Sequence, residues 1–297
     1  MKDLTVFVLT HNRGKMLLET IKSVLNQTCH DFKFIVSDNS SNDETKNLIY
    51  NSGLRNKFEY RKREKEYTSL DHFNLCLSEV DTSFFILFHD DDIMMPDFVN
   101  KLYNSIEGTE YIAVGCNAYF LYGDKKTKRK FFNTYSSKII KISSYDMAKM
   151  YCVNRSSMPY PSYIYNRKKI GEEKFDNECG KYSDVTWLLR LSEKAPLLWL
   201  TQPLMYYRIH NDQDSNFLDL YNQFKLANKY ETILGKRNKM VRKYKYDLLC
   251  LKIYLDISAK LKKGFLDIGK IKVLFCYSKF YFIKIMGKTI LQLLSDK

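Results

Sequence analysis

An α/β fold with a mostly parallel sheet flanked by helices is what this sequence predicts, and three observations predict it. Strand-like apolar runs alternate with amphipathic segments from Leu4 onward. Phe84–Phe88 is apolar at every position, as a strand buried on both faces requires. Polar clusters at Thr10–Arg13, Asp38–Asp43 and His89–Asp92 each follow a predicted strand, and open parallel sheets bind ligands beyond the carboxyl ends of their strands.

Leu4–Thr10 reads as the first strand, Lys15–Leu25 as an amphipathic helix and Phe32–Ser37 as the second strand. A helix is expected from Asp43, its N-cap, to about Asn51, then a short strand at Phe58–Tyr60. A further helix around Ser69–Glu79 leads into Phe84–Phe88. After Asp97 a helix to about Ile106 precedes the apolar run Tyr111–Tyr122, and Gly123–Lys130 reads as a charged turn. Tyr145–Tyr207, interrupted by Pro159, Pro161, Pro196 and Pro203, reads as irregular. From about Leu218 the chain reads as helical, with a basic break at Gly235–Lys245 and others at Gly264 and Gly269.

A length of 297 residues fits one large domain, or a catalytic domain with an appendage. The 45% hydrophobic and 28% charged content excludes a disordered chain. Seven cysteines without a C-x-x-C pair argue against a zinc module or disulfide framework and fit a reducing compartment. Neither a signal peptide nor a membrane span of about 20 apolar residues is expected, so the expected location is cytoplasmic. The net charge of +14 is uneven: residues 225–297 hold 18 Lys/Arg against 5 Asp/Glu, and the first 224 hold 30 against 29.

The chemistry concentrates at strand ends. Three adjacent carboxylates, Asp90, Asp91 and Asp92, repel one another unless a cation or a set of donors offsets them. Grouped hard oxygens suit Mg²⁺ or Mn²⁺, ions that usually share their shell with phosphate. In Thr10-His11-Asn12-Arg13, the short polar groups could bond a base or ribose and Arg13 a phosphate; the plainer alternative is that Asn12 caps the next helix. Asp38 could accept the imide N–H of a uracil ring.

Together, Thr10/Asn12-Arg13, Asp38-Asn39-Ser40 and His89-Asp90-Asp91-Asp92 with Pro96-Asp97 resemble a family-2 glycosyltransferase of the GT-A fold, over roughly residues 4 to 210. The resemblance implies a catalytic domain at 1–217, with a nucleotide-sugar half at 1–97, an acceptor half at 98–217, and a basic helical region at 218–297. It implies that Thr10, Asn12, Arg13, Asp38 and Asn39 hold the nucleotide. Aligned on Pro96, Asp91 resembles the metal ligand, Asp90 a residue near the donor ribose and Asp92 a second ligand, while His89 replaces an aspartate. Asn74 matches the asparagine of an Arg-Asn pair near the donor sugar, with Phe73 in the arginine position; Arg61, Arg63 and His72 are the nearby polar substitutes. Asp184 falls where the family places its general base, with Ser183 in place of the usual glutamate. Tyr206-Tyr207-Arg208-Ile209-His210 resembles an element near the donor diphosphate, implying Arg208 at phosphate and His210 at the metal. Pro159–Tyr163 either lines the acceptor side or forms a proline-stiffened loop.

The implied activity is metal-dependent, inverting transfer of a hexose or N-acetylhexosamine from a UDP-sugar to a glycan, lipid-linked or protein-linked acceptor, with Mn²⁺ or Mg²⁺ as cofactor. A nucleotidyltransferase and a non-catalytic partner of another transferase are the alternatives. For the basic tail the favoured reading is association with an anionic membrane surface on its cytoplasmic side, with self-association as a companion. Nucleic acid is not expected, because no recognition motif accompanies the charge.

Overall fold

The computed structural model describes residues 3–133, 139–155, 158–211, 213, 218–263, 265 and 267–295, with side chains as far as 287. Gly264, one of the expected helix breaks, lies outside the described residues. The chain divides into two compact units, Met1–Phe217 and Leu218–Lys297.

The first unit begins with β1 (Leu4–Thr10), α1 (Gly14–Leu25), β2 (Lys33–Asp38), α2 (Glu44–Asn51), β3 (Glu59–Lys62), α3 (Ser69–Ser78) and β4 (Phe84–His89). β1 is buried along its whole length because it lies between β2 and β4, paired parallel to both. α1 packs Leu17, Thr20, Ile21 and Val24 inward, the spacing that puts side chains on one helix face. Thr68 caps α3 by accepting the Asp71 N–H. Asp43 precedes α2 without a side-chain cap bond; Asn42 Oδ1 accepts the Glu44 N–H at 3.0 Å instead.

The unit continues through β5 (Ile93–Met94), α4 (Phe98–Ile106), β6 (Ala113–Tyr122), β7 (Lys125–Lys130), β8 (Ile139–Ile142), α5 (Ser144–Asn154), β9 (Tyr163–Asn166), α6 (Arg167–Ile170), α7 (Ser183–Lys194) and β10 (Leu197–Ile209). The ten strands among the described residues form one sheet in the order β3-β2-β1-β4-β9-β6-β10-β5, with β7 on β6 and β8 on β10. The parallel character belongs to β3-β2-β1-β4 and to the β6–β10 pair; β9 runs antiparallel to both of its neighbours. Gly115 is required where β6 meets β9, since a Cβ there would lie 2.5 Å from the Tyr163 ring.

Two expectations are corrected here. Gly123–Lys130 is not a free turn: Gly123, at φ 56°, makes the reversal, and β7 pairs antiparallel with β6. Its lysines conceal the strand, because no apolar alternation marks it. The section from Tyr145 to Tyr207 is regular, holding two helices of 11 and 12 residues and a 13-residue strand. A Ser143/Asp146 capping box starts the first of these helices, a signal independent of the prolines.

The second unit contains α8 (Leu220–Leu234), α9 (Lys239–Leu261), α10 (Ile268–Tyr277) and α11 (Lys279–Ser295). Asp219, Asn238 and Asp267 cap the first three. Lys239–Lys245 lies inside α9, so the helix break is confined to residues 235–238, which hold Lys236 and Arg237, and the basic residues from Lys239 on are helical. Cys250, Ile257, Leu261, Leu274 and Ile285 form a small buried cluster. Among the described residues, no helix is long and apolar enough to cross a membrane.

Candidate active site

Register fixes which loops meet. β1 and β2 run in step to the pair Thr10↔Asp38, and Leu9 lies opposite His89 on β4. The three polar clusters therefore emerge side by side at one edge of the sheet.

The first two loops are tied together. Asn12 adopts a left-handed backbone, φ 57°. Its N–H donates to Ser40 Oγ at 2.9 Å, and its Oδ1 accepts the Ser41 N–H at 3.2 Å. It is therefore not the cap of α1; that position is Arg13, without a cap bond. Thr10 is buried at the strand end, where its carbonyl accepts the Asn39 N–H. Asp38 is fully buried, accepting from Ser40 N–H at 2.8 Å and Tyr60 O–H at 2.5 Å, with Lys62 Nζ 3.6 Å away. Burial, and then the bond to Asp38, push the Tyr60 phenol well above its usual range.

Two expected donor contacts are engaged with backbone instead. Asn39 donates to the Tyr67 carbonyl and accepts the Tyr67 N–H, both at 2.9 Å. Asn74 makes the same pair of bonds to Phe175, 101 residues away. Each amide closes a two-bond clamp that holds a loop beside the edge where the resemblance implies the donor. The alternatives near Asn74 are also engaged. Arg61 and Arg63 both bind Glu79, and His72 lies 2.6 Å from Ser37 Oγ. Burial, followed by the Arg63 charge, lowers the His72 pKa to about 4.

The acidic loop is buried and braced from beneath. Asp90, Asp91 and Asp92 are 3%, 6% and 1% exposed, values at which an unneutralised carboxylate is costly. The Thr20 hydroxyl lies 2.9 Å from the Asp90 carbonyl and 2.7 Å from that of Asp92. Arg208 donates through its backbone N–H to Asp92 Oδ1 and through Nε to the Asp91 carbonyl at 2.7 Å. Its remaining nitrogens reach the Gly123 carbonyl and the Glu19 carboxylate. Arg208, which the resemblance implies at the diphosphate, is buried and braces the loop from beneath.

Above the loop, Arg13 Nη1 lies 3.3 Å from Asp90 Oδ1 and 2.9 Å from Asp91 Oδ2, and His210 Nε2 lies 3.0 Å from the same Asp91 oxygen. Burial opposes ionisation of Asp91, but His89, His210 and Arg13 outweigh it and hold the carboxyl below its usual range. Burial and the Asp91 charge push Asp90 and Asp92 upward. Asp92 Oδ2 is buried without a hydrogen-bond partner among the described residues. His89, Asp91 and Asp92 each offer a ligand atom within 4.8 Å of the others. With bonds of about 2.1 Å, a divalent ion separates opposite ligands by roughly 4.2 Å, so small rotations would close a shell. The donor set and the orphaned oxygen both fit such an ion. His210 is outside this triplet, and His89, the departure from the family pattern, is inside it.

Asp184 lies elsewhere in the first unit, in the first turn of α7, where its Oδ1 accepts the Val185 N–H at 2.7 Å. The residue keeps some surface, but protein packs closely around the carboxyl and burial raises its pKa to about 6. Burial pushes the phenols of Tyr160, Tyr163 and Tyr165 well above the usual range, and the Asp184 charge adds to it. Tyr160 also packs on His89, with ring centroids 5.6 Å apart, and on Phe73 and Phe175. Pro159–Tyr163 is buried, and through Tyr160 it packs beside the acidic loop.

Thr20, Glu19 and Tyr60 were not anticipated. Only Thr20 carries a signal in the sequence, as a polar residue on the apolar face of α1.

A parallel half-sheet with clustered carboxylates at its C-terminal edge places the candidate site where open α/β sheets bind their ligands. The model of glycosyl transferase family 2 matches residues 5–172, and the chain belongs to that family and is a glycosyltransferase. It is 23% identical over 303 residues to the GalNAc(5)-diNAcBac-PP-undecaprenol β-1,3-glucosyltransferase of Campylobacter jejuni, covering 99% of this chain and 93% of that one. In structure it resembles Staphylococcus aureus TarS in complex with UDP-GlcNAc, with a TM-score of 0.61 and 14% identity over 98% of this chain and 81% of that one. Against a longer TarS chain the TM-score is 0.59 at 14% identity, over 84% of this chain and 43% of that one. These likenesses agree with the expected GT-A fold.

Proposed function

We propose that this glycosyltransferase moves a hexose or N-acetylhexosamine from a UDP-sugar to an acceptor hydroxyl by one in-line displacement, with inversion. The observation that carries this reading is the buried acidic loop with an unpartnered Asp92 oxygen, beside Asp38 at one sheet edge. His89, Asp91 and Asp92 would hold Mn²⁺ or Mg²⁺, with His210 as a further candidate. When bound, such an ion offsets charge on the leaving diphosphate. Thr10, Asn12, Arg13 and Asp38 shape the nucleotide side, and Asp90 is the ribose candidate. Arg13, 30% exposed, is the cation best placed to meet phosphate.

Asp184 would take the proton of the attacking hydroxyl. A carboxyl whose pKa lies near 6 is a better base than an ordinary aspartate and is still ionised at neutral pH. UDP as the leaving nucleotide is supported by the TarS complex with UDP-GlcNAc. A glycan or lipid-linked acceptor is supported by the named activity of the C. jejuni relative. Screening UDP-sugars for UDP release, with and without Mn²⁺, tests the donor; pyrophosphate release instead would sink it.

The second unit would lie on an anionic cytoplasmic membrane face. Phe265, Phe275, Tyr277, Phe280 and Ile283 are exposed among lysines. Flotation with phosphatidylglycerol vesicles should fall as salt screens the charges.

A further inference from the structure

Within the first unit, positive charge is gathered at one place. Residues 1–224 are almost neutral, yet Lys125, Lys126, Lys128, Arg129 and Lys130 occupy five of the six positions of β7. All five are exposed, and among the described residues none forms an ion pair with a carboxylate. Neighbouring like charges on one strand are unfavourable unless an anion offsets them.

The strand starts at the catalytic edge. Lys125 pairs with Tyr122, and Tyr122 with Ile209, the residue before His210. The Gly123 carbonyl accepts from the Arg208 guanidinium that also holds the Asp91 carbonyl. Aromatic rings lie under the cations: Lys126 is 5.0 Å from the Tyr206 centroid and Arg129 5.1 Å from that of Phe120. A cleft of about 540 Å³, lined by Lys22, Asn26, Met94, Asp124 and Lys126 among others, borders the hairpin. Edge strands do carry lysines that block pairing with other chains. That role explains one or two of them, but not five, nor rings beneath them beside the acidic loop.

We infer that the β6–β7 hairpin docks the phosphate groups of an anionic acceptor whose sugar presents its hydroxyl to the site. This rests on the glycosyltransferase reading and extends it to the acceptor's chemistry: phosphate next to a sugar ring. Cations take the phosphate, and exposed Tyr122 with half-buried Tyr119 and Tyr206 offers faces for the ring. The phosphate can belong to a diphosphate carrier or to a phosphodiester polymer.

The test compares the wild-type chain with a Lys125→Ser, Lys126→Ser, Lys128→Ser triple variant, and with the same three positions changed to Arg. UDP release is measured with a soluble diphosphate-linked sugar, a polyol-phosphate oligomer and a neutral glycoside, and the melting temperature checks the fold. The Ser variant should raise KM for a phosphate acceptor about tenfold, with kcat within about twofold, and the Arg variant should restore it. The acceptor that shows the shift names the source. Equal KM values in wild type and Ser variant for both phosphate acceptors would overturn the inference. So would a rise in donor KM alone, or a loss of phosphatidylglycerol-vesicle binding with acceptor KM intact. If no UDP is released with any acceptor, the UDP-sugar reading fails separately. Equilibrium binding of the polyol-phosphate oligomer, weaker to the Ser variant or unchanged, then decides the hairpin.

Discussion

The acidic loop and the Asp184 pocket set the same side chain in opposite surroundings. Asp91 lies between Arg13, His89 and His210, which hold it ionised despite burial. Asp184 has two backbone amides that favour its charged form, and burial outweighs them. A carboxylate pinned in its charged form suits a cation; one poised near 6 suits a proton. The difference comes from neighbours: Asp91 meets Arg13 from the loop after β1 and His210 just beyond β10, whereas Asp184 meets the amides of its own helix start.

The largest effect should come from the loop. Asp91→Ala should abolish Mn²⁺ binding by calorimetry and lower turnover by about 10³-fold or more; intact Mn²⁺ binding would break the comparison from that side. Next, Asp184→Asn should lower kcat by roughly 10²–10⁴-fold while Mn²⁺ affinity stays within about twofold. If both constants move together, the two positions do not act separately.

The pH profile sharpens the same contrast. A base must be deprotonated, and the raised pKa of Asp184 leaves it protonated below about 6. The kcat should therefore climb about tenfold per pH unit below 6 and level off above it, and the acid limb should vanish in Asp184→Asn. A profile flat from pH 5 to 8 would remove Asp184 as the base.

The smallest effect concerns the clamp between Asn74 on α3 and Phe175. Asn74→Ala leaves the Phe175 N–H and carbonyl without their partner, and should cost about 1–3 kcal/mol in denaturant unfolding with little change in donor KM. A donor KM raised tenfold at unchanged stability would return Asn74 to the nucleotide.

Much of the fold is legible along the chain. β1 spans Leu4–Thr10 as its apolar run indicates, and the predicted succession of strands and helices to Phe88 is found with boundaries shifted by at most two residues. Local burial pattern is enough for most of it, because β1 and β4 are nearly continuous apolar runs and α1 carries an amphipathic stripe, whereas β3 (Glu59–Lys62) is mostly charged. β7 is not legible, since a strand of lysines satisfies no hydrophobic template and forms only because β6 offers it an edge. The pairings of β9 with β4 and β6 likewise join segments some 50 to 80 residues apart.

At the site, the sequence by itself determined that three carboxylates follow a buried strand and that Asp38 ends its neighbour. Only the tertiary structure decided what each polar group does there. An asparagine amide bonds a ligand or a backbone with the same two atoms, and an arginine reaches a phosphate or a carbonyl with the same fork. Which partner it meets depends on segments a hundred residues away: Phe175 for Asn74, the Asp91 carbonyl for Arg208. Composition places the charges; packing chooses their partners, because a buried polar group takes whatever donor or acceptor the fold brings within about 3 Å.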